Sequence, residues 1–293
     1  MLDIELARLV DYIDWTFFFT AWDIAGKYPA ILEHPERGSA ARELFENGKA
    51  MLNRIIKDGR VRARAVYGFY PASSQGDDIV LYDEKTRERR LAFPMLRQQA
   101  QKKPEDPCRS LADFVIASEN GPVDCVGAFA VTAGLGADVL VREFEAQSDD
   151  YSAILVKSLA DRLAEAAASY LHELVRRQWY ASFERLSSAE LIEESFQGIR
   201  PAFGYPACPD HTLKGPLFEL LGATEIGMAL TESFAMTPPA SVSGIYLAHP
   251  ESRYFNVGKI GRDQVTDYAR RLGKPQAEVE RWLSPNLAYN RET

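Results

Sequence analysis

The run Gly198-Ile199-Arg200-Pro201-Ala202-Phe203-Gly204-Tyr205-Pro206-Ala207-Cys208-Pro209-Asp210-His211 restricts the fold more than any other stretch of the chain. Its three prolines rule out a helix, because each lacks the backbone donor and clashes with the carbonyl one turn earlier. They also rule out a central strand, whose ladder needs those donors. What remains is a rigid, irregular segment carrying one permanently charged fork, Arg200. A preset backbone beside a guanidinium suits a small anionic ligand, which the fork can engage through two parallel hydrogen bonds.

A length of 293 residues fits one or two domains. With no internal repeat or low-complexity linker, one domain over residues 1–293 is expected. The net charge of -8 argues against a general nucleic-acid binder, whose footprint would be basic. Cys108, Cys125 and Cys208 are far apart and form no CxxC, which points to a reducing, cytoplasmic compartment. Met1-Leu2-Asp3-Ile4-Glu5 is acidic at once and carries no basic leader. No apolar stretch is long enough to span a membrane.

Residues 1–32 read as helical and rich in aromatics, with Asp14 in an apolar neighbourhood. Ala41, Leu44, Phe45, Gly48, Leu52, Ile55 and Ile56 carry a helical stripe over 39–58, closed by Gly59. Val61, Ala63, Ala65, Tyr67 and Phe69 alternate as in a half-buried strand. Pro71 to Asp78 reads as a turn-rich loop. Strands follow at Ile79–Tyr82 and Arg89–Phe93, as a plausible hairpin, and Cys125–Thr132 has the character of a central strand. Helices are expected at Ala137–Gln147 and Ser152–Arg177, and Ser187-Ser188-Ala189-Glu190 is a capping box. Asp210 can cap a helix running to about Leu221. Further strands are expected near 228–232, 242–248 and 253–260, and helices at 263–272 and 276–283. Regular βαβ alternation is missing, so the class is α+β with an antiparallel sheet.

Several residues invite chemistry but have a plainer explanation. Thr132-Ala133-Gly134-Leu135-Gly136 hints at a dinucleotide loop, yet the third glycine position holds Val139, so it reads as a strand-to-helix turn. Cys208 and His211 are spaced as C-x-x-H without the further ligands a zinc site needs, so no metal is expected. Asp77-Asp78 reads as turn chemistry. Taken singly, Arg200 would pair with a carboxylate such as Glu194, and Asp14 would cap a helix. No nucleophile motif or acid–base pair stands out, so no catalytic residue is assigned.

Taken together, the ordered motifs resemble one family. They include Tyr12-Ile13-Asp14-Trp15, Ala25-Gly26-Lys27-Tyr28-Pro29, Gly76-Asp77-Asp78-Ile79, Leu111-Ala112-Asp113-Phe114, Gly127 to Thr132, Asp149-Asp150-Tyr151 and Lys157 to Ala166. The Arg200 segment, Thr231-Glu232-Ser233, Ser241-Val242-Ser243-Gly244, Arg262-Asp263-Gln264-Val265 and the tail Glu280 to Leu287 extend the match over nearly the whole chain. This chain resembles the activation domain, which binds S-adenosylmethionine, of cobalamin-dependent methionine synthase.

The resemblance implies a C-shaped α+β domain around a bent antiparallel sheet with flanking helices. It implies a ligand groove formed by Asp14, Arg200, Ala202, Gly204, Tyr205, Tyr254 and Phe255, with Glu165 and Glu194 as nearby acids. Arg200 would fork onto the carboxylate of S-adenosylmethionine and Asp14 would accept from its ammonium group. The implied role is reductive methylation of cob(II)alamin to methylcobalamin. The partners would be a cobalamin-binding module and flavodoxin or another low-potential reductant. The chain lacks an Asp-x-His-x-x-Gly cobalamin motif, so cobalamin would be carried by a partner domain or subunit, and no methionine synthesis is expected from this chain alone. The alternatives are a self-contained methyltransferase acting on a small molecule and a pure interaction module. Two residues depart from the family pattern: Phe203 stands where proline is usual, and Phe255 where a second tyrosine is common.

Overall fold

The computed structural model describes residues 1–101, 103 and 106–291. In chain order, β1 (Leu2–Ile4) leads into α1 (Leu6–Leu9), α2 (Trp15–Thr20) and α3 (Gly38–Asp58). The strands β2 (Arg62–Gln75), β3 (Asp78–Tyr82), β4 (Arg89–Pro94) and β5 (Asp124–Leu135) come next. Then follow α4 (Ala137–Ala146), α5 (Asp150–Trp179), α6 (Ser188–Ile192) and α7 (Lys214–Leu221). The short strands β6 (Ala229–Leu230) and β7 (Met236–Thr237) precede β8 (Ser241–Tyr246), and α8 (Arg262–Leu272) and α9 (Gln276–Trp282) complete the order.

The main sheet is antiparallel and open, ordered β4-β3-β2-β5-β8, with β1 added to one end of β2. This is the expected α+β class. Side chains alternate across β5: Phe129, Val131 and Ala133 join the core under α3 and α5. Val126, Ala128 and Ala130 join a second core with α7, Phe203 and Ile245. Helices therefore cover both faces, as the nearly uninterrupted apolar sequence of β5 requires. A smaller third core holds Val265, Tyr268 and Val279 of the C-terminal helices, with Leu283 just after them. The Tyr268 hydroxyl ties that unit back by donating to Asp210 Oδ2 at 2.9 Å.

Four expectations change. Residues 1–32 are not helical throughout: Leu2–Ile4 pairs with Ala63–Ala65, and Asp3 meets Arg64 across that register at 2.8 Å. The span from Pro71 is not a loop, because β2 continues through Gln75. Ser73 and Ser74 are buried there, their hydroxyls satisfied by Tyr82 and by the Val115 carbonyl, so residues typical of turns sit inside a sheet. The turn shrinks to Gly76 (φ +57°) and Asp77. Asp77 and Asp78 then serve as ion-pair partners of Arg97 and Arg271, at 2.6 and 2.7 Å, rather than as turn caps. Residues 253–260 form no strand, apart from a single bridge at Ile260. The outer edge of β8 is already taken by residues 199–201, so residues 253–260 cannot pair there.

The strand-to-helix reading of Thr132 to Gly136 holds, with β5 running on through Leu135 and Gly136 alone making the turn into α4. Gly136 sits at φ +82°, and a Cβ there would lie 2.3 Å from the Arg60 carbonyl oxygen. Glycine tolerates both the backbone angle and the close approach.

Candidate functional site

Residues 199–201 run antiparallel along the outer edge of β8. Ile199 and Leu247 exchange both backbone hydrogen bonds at 3.0 Å, and the Ile245 N–H donates to the Pro201 carbonyl at 3.0 Å. Gly244 permits this contact, since a Cβ there would sit 2.3 Å from the Pro201 oxygen. Gly204 (φ +93°) turns the chain, and its N–H donates to Cys208. A side chain at Gly204 would run into the His211 ring. Phe203 points into the second core, fully buried against Phe93 at 5.1 Å, so the bulkier residue fills a gap beneath the segment.

Arg200 therefore projects from a wall fixed to the sheet, with a side chain only 15% exposed. Its Nη2 donates to Ser169 Oγ at 3.3 Å. Glu165 and Glu194 lie 3.6 and 3.8 Å away, close enough to attract but too far for hydrogen bonds. Burial alone would lower the Arg200 pKa, but Glu165, Tyr254 and Glu194 together raise it, so the guanidinium stays charged. The backbone N–H of Arg200 donates to the Tyr254 hydroxyl at 3.1 Å. Several donors of a largely enclosed cation are thus loosely held, which leaves them available to a ligand.

Two cavities meet at this arginine and share Glu165, Glu194, Arg200 and Tyr205. One, of about 510 Å³, is lined by Pro201, Ala202, Pro206, Tyr254, Phe255 and Asn256 among others. Neither the N–H nor the C=O of Ala202 has a partner among the described residues. The other, of about 560 Å³, is walled by Tyr12, Asp14 and Phe17 on one side and by Leu191 to Glu194 on the other. Asp14 caps α2 through Oδ1, which accepts from the Thr16 N–H at 2.8 Å; its second oxygen has no partner among the described residues.

The structure thus brings Asp14, Glu165, Glu194, Arg200, Ala202, Tyr205, Tyr254 and Phe255 to one bipartite groove. Gly204 lines neither cavity and shapes the turn instead. The plainer explanations of Asp14 as a cap and Arg200 as a partner of Glu194 both hold, and neither uses up the side chain. Ser169, Arg162, Tyr12 and Phe17 were missed from the sequence. The i, i+4 spacing of Glu165 and Ser169 on a long helix was the available signal for Ser169.

Residues 5–273 match the model of the vitamin B12-dependent methionine synthase activation domain. The chain belongs to that family. A crystal structure described as the MetH reactivation domain bound to AdoHcy is similar over 99% of this chain and 90% of its own, at 52% identity and a TM-score of 0.95. In this member of the activation-domain family, Phe255 keeps an aromatic face on the groove and packs against Phe114 at 6.4 Å. Among the described residues, no helix is long and apolar enough to cross a membrane, and no group of three or more His, Cys, Asp or Glu is placed to hold a metal ion.

Proposed function

We propose that the groove binds S-adenosylmethionine and presents its methyl group to a corrinoid carried by a separate cobalamin-binding module. One observation carries the reading: a half-buried, loosely paired Arg200 lies between two cavities, with an Asp14 oxygen in one and the Ala202 backbone in the other that have no partner among the described residues. Arg200 suits the ligand carboxylate, Asp14 its ammonium group, and the backbone of Ala202 the edge of an adenine. Glu165 and Glu194 suit the sulfonium electrostatically. The related structure's bound AdoHcy has the same skeleton without the methyl group and supports this assignment.

The corrinoid, once reduced, supplies the nucleophile. This chain need supply neither base nor nucleophile, and its residues bind the donor, orient it and hold the methyl group in line. The activity would be that of one domain, residues 1–293, within a cobalamin-dependent methionine synthase, in a reducing cytoplasmic compartment with flavodoxin or another low-potential reductant. Methionine would not be made by the chain alone.

Calorimetric titration with S-adenosylmethionine tests the binding step. Arg200→Ala is expected to weaken binding by about 1.5–3 kcal/mol, the range for a hydrogen bond to a charged group, and Asp14→Asn by less. Unchanged affinity in both variants would remove these residues from the site. Mixed with a cobalamin-loaded module and a low-potential reductant, the chain should convert cob(II)alamin to methylcobalamin, as followed by the corrinoid spectrum. Methylation of a small acceptor without any corrinoid would select a self-contained methyltransferase instead.

A further inference from the structure

One wall of the groove has no place in the main sheet. The chain leaves α5 at Trp179, passes through the short α6, and returns to the sheet edge at Ile199. On the way it supplies Leu191 to Glu194, which line the cavity holding Asp14. Glu194 adopts φ +52°, unusual for a residue with a side chain, so its placement depends on what surrounds it.

Arg176 holds this strap at two points. Fully buried near the end of α5, it donates through Nε and Nη2 to Glu184 Oε2 at 3.0 and 2.7 Å. Its guanidinium also lies 3.6 Å from the centre of the Phe196 ring. Glu184 and Phe196 bracket α6 and Glu194, so one cation fixes the strap before and after the part facing the groove. Further along, the Tyr180 hydroxyl donates to the Gln197 carbonyl at 3.0 Å, bringing the two ends of the strap together.

We propose that Arg176 is a positioning residue for the ligand site: by pinning Glu184 and Phe196 it fixes the wall from Leu191 to Glu194 and holds the Glu194 carboxylate beside Arg200. Arg176 lines neither groove cavity and acts only through the strap. The inference rests on the groove being the S-adenosylmethionine site.

The test is a double-mutant cycle with S-adenosylhomocysteine as calorimetric probe, using Arg176→Met, Glu194→Gln and the double variant. Arg176→Met is expected to weaken binding about tenfold in the wild-type background and less than twofold in the Glu194→Gln background, because residues acting through one another are not additive. Trypsin is also expected to cut after Arg185 faster in Arg176→Met. Equal affinity of wild type and Arg176→Met, or the same fold-loss in both backgrounds, overturns the proposal. If Arg176→Met does not fold, Glu184→Gln replaces it in the same cycle with the same expected and overturning results. Failure of the wild-type chain to bind the probe sinks the reading of the groove and this inference with it, whereas binding that Arg176→Met leaves unchanged sinks the inference alone.

Discussion

Phe203 marks the difference between a residue that carries chemistry and one that supports it. It sits two positions after Pro201, beneath the segment that presents Arg200, and is wholly buried against Phe93. Truncating a buried phenylalanine to alanine typically costs about 3–5 kcal/mol, from lost transfer energy and the cavity left behind. Phe203→Ala should destabilise the protein by about that much in urea unfolding. A loss below about 1 kcal/mol would mean the core closes over the gap without strain. Arg200 is the opposite case. Its importance was legible because a fixed charge in a proline-rich run has few structural uses. Its hydrogen-bond partner Ser169 was not, because it reaches Arg200 across the fold from α5, and Glu165 on the same helix entered only through the family resemblance.

At the scale of elements, α5 connects the core to the groove. Its 30 residues span about 45 Å at the usual helical rise and carry Glu165, Ser169, His172 and Arg176 in succession. His172 is buried between the Tyr246 ring, stacked at 5.0 Å, and Phe196. Burial, with Arg176 and Arg200 nearby, pushes its pKa well below the ordinary 6.5. The folded protein therefore excludes a proton that the unfolded chain accepts as pH falls below about 6.5. Folding stability should then fall with pH by up to about 1.4 kcal/mol per unit, until the native imidazole itself protonates. His172→Phe should show a shallower fall than wild type in urea unfolding at pH 7 and pH 5.5. Parallel falls would mean that His172 takes up its proton equally in both states. Strongly periodic elements such as α3, α5 and β5 were readable from spacing alone, because burial of one stripe or of both faces dictates their residues. The continuation of β2 through Ser73 and Ser74 was not, because their hydroxyls are satisfied by partners distant in sequence. The irregular course of residues 253–260 was hidden for a similar reason: the sheet edge was claimed by another segment.

Across the whole molecule, the groove draws on Asp14 near the start of the chain, Glu165 to Tyr205 in its middle and Tyr254 near its end. The family resemblance supplied this grouping, which no local pattern contains. The two walls of the groove also differ in how they are attached. The wall bearing Arg200 is bonded into the edge of the sheet through Ile199, Pro201, Ile245 and Leu247. The wall bearing Glu194 hangs on a short helix and a buried ion pair. Amide protons of the first wall should exchange with solvent only when the protein unfolds, and those of the second through local opening. Saturating S-adenosylhomocysteine should therefore slow deuterium uptake at Leu191 to Glu194 far more than at Ile245 and Leu247, while equal protection of both would mean that the groove opens as one piece. With that contrast the sheet wall would be the anvil and the strap the hinged jaw, and the residence time of a ligand held between them should follow how often the five residues of α6 let go rather than the stability of the fold.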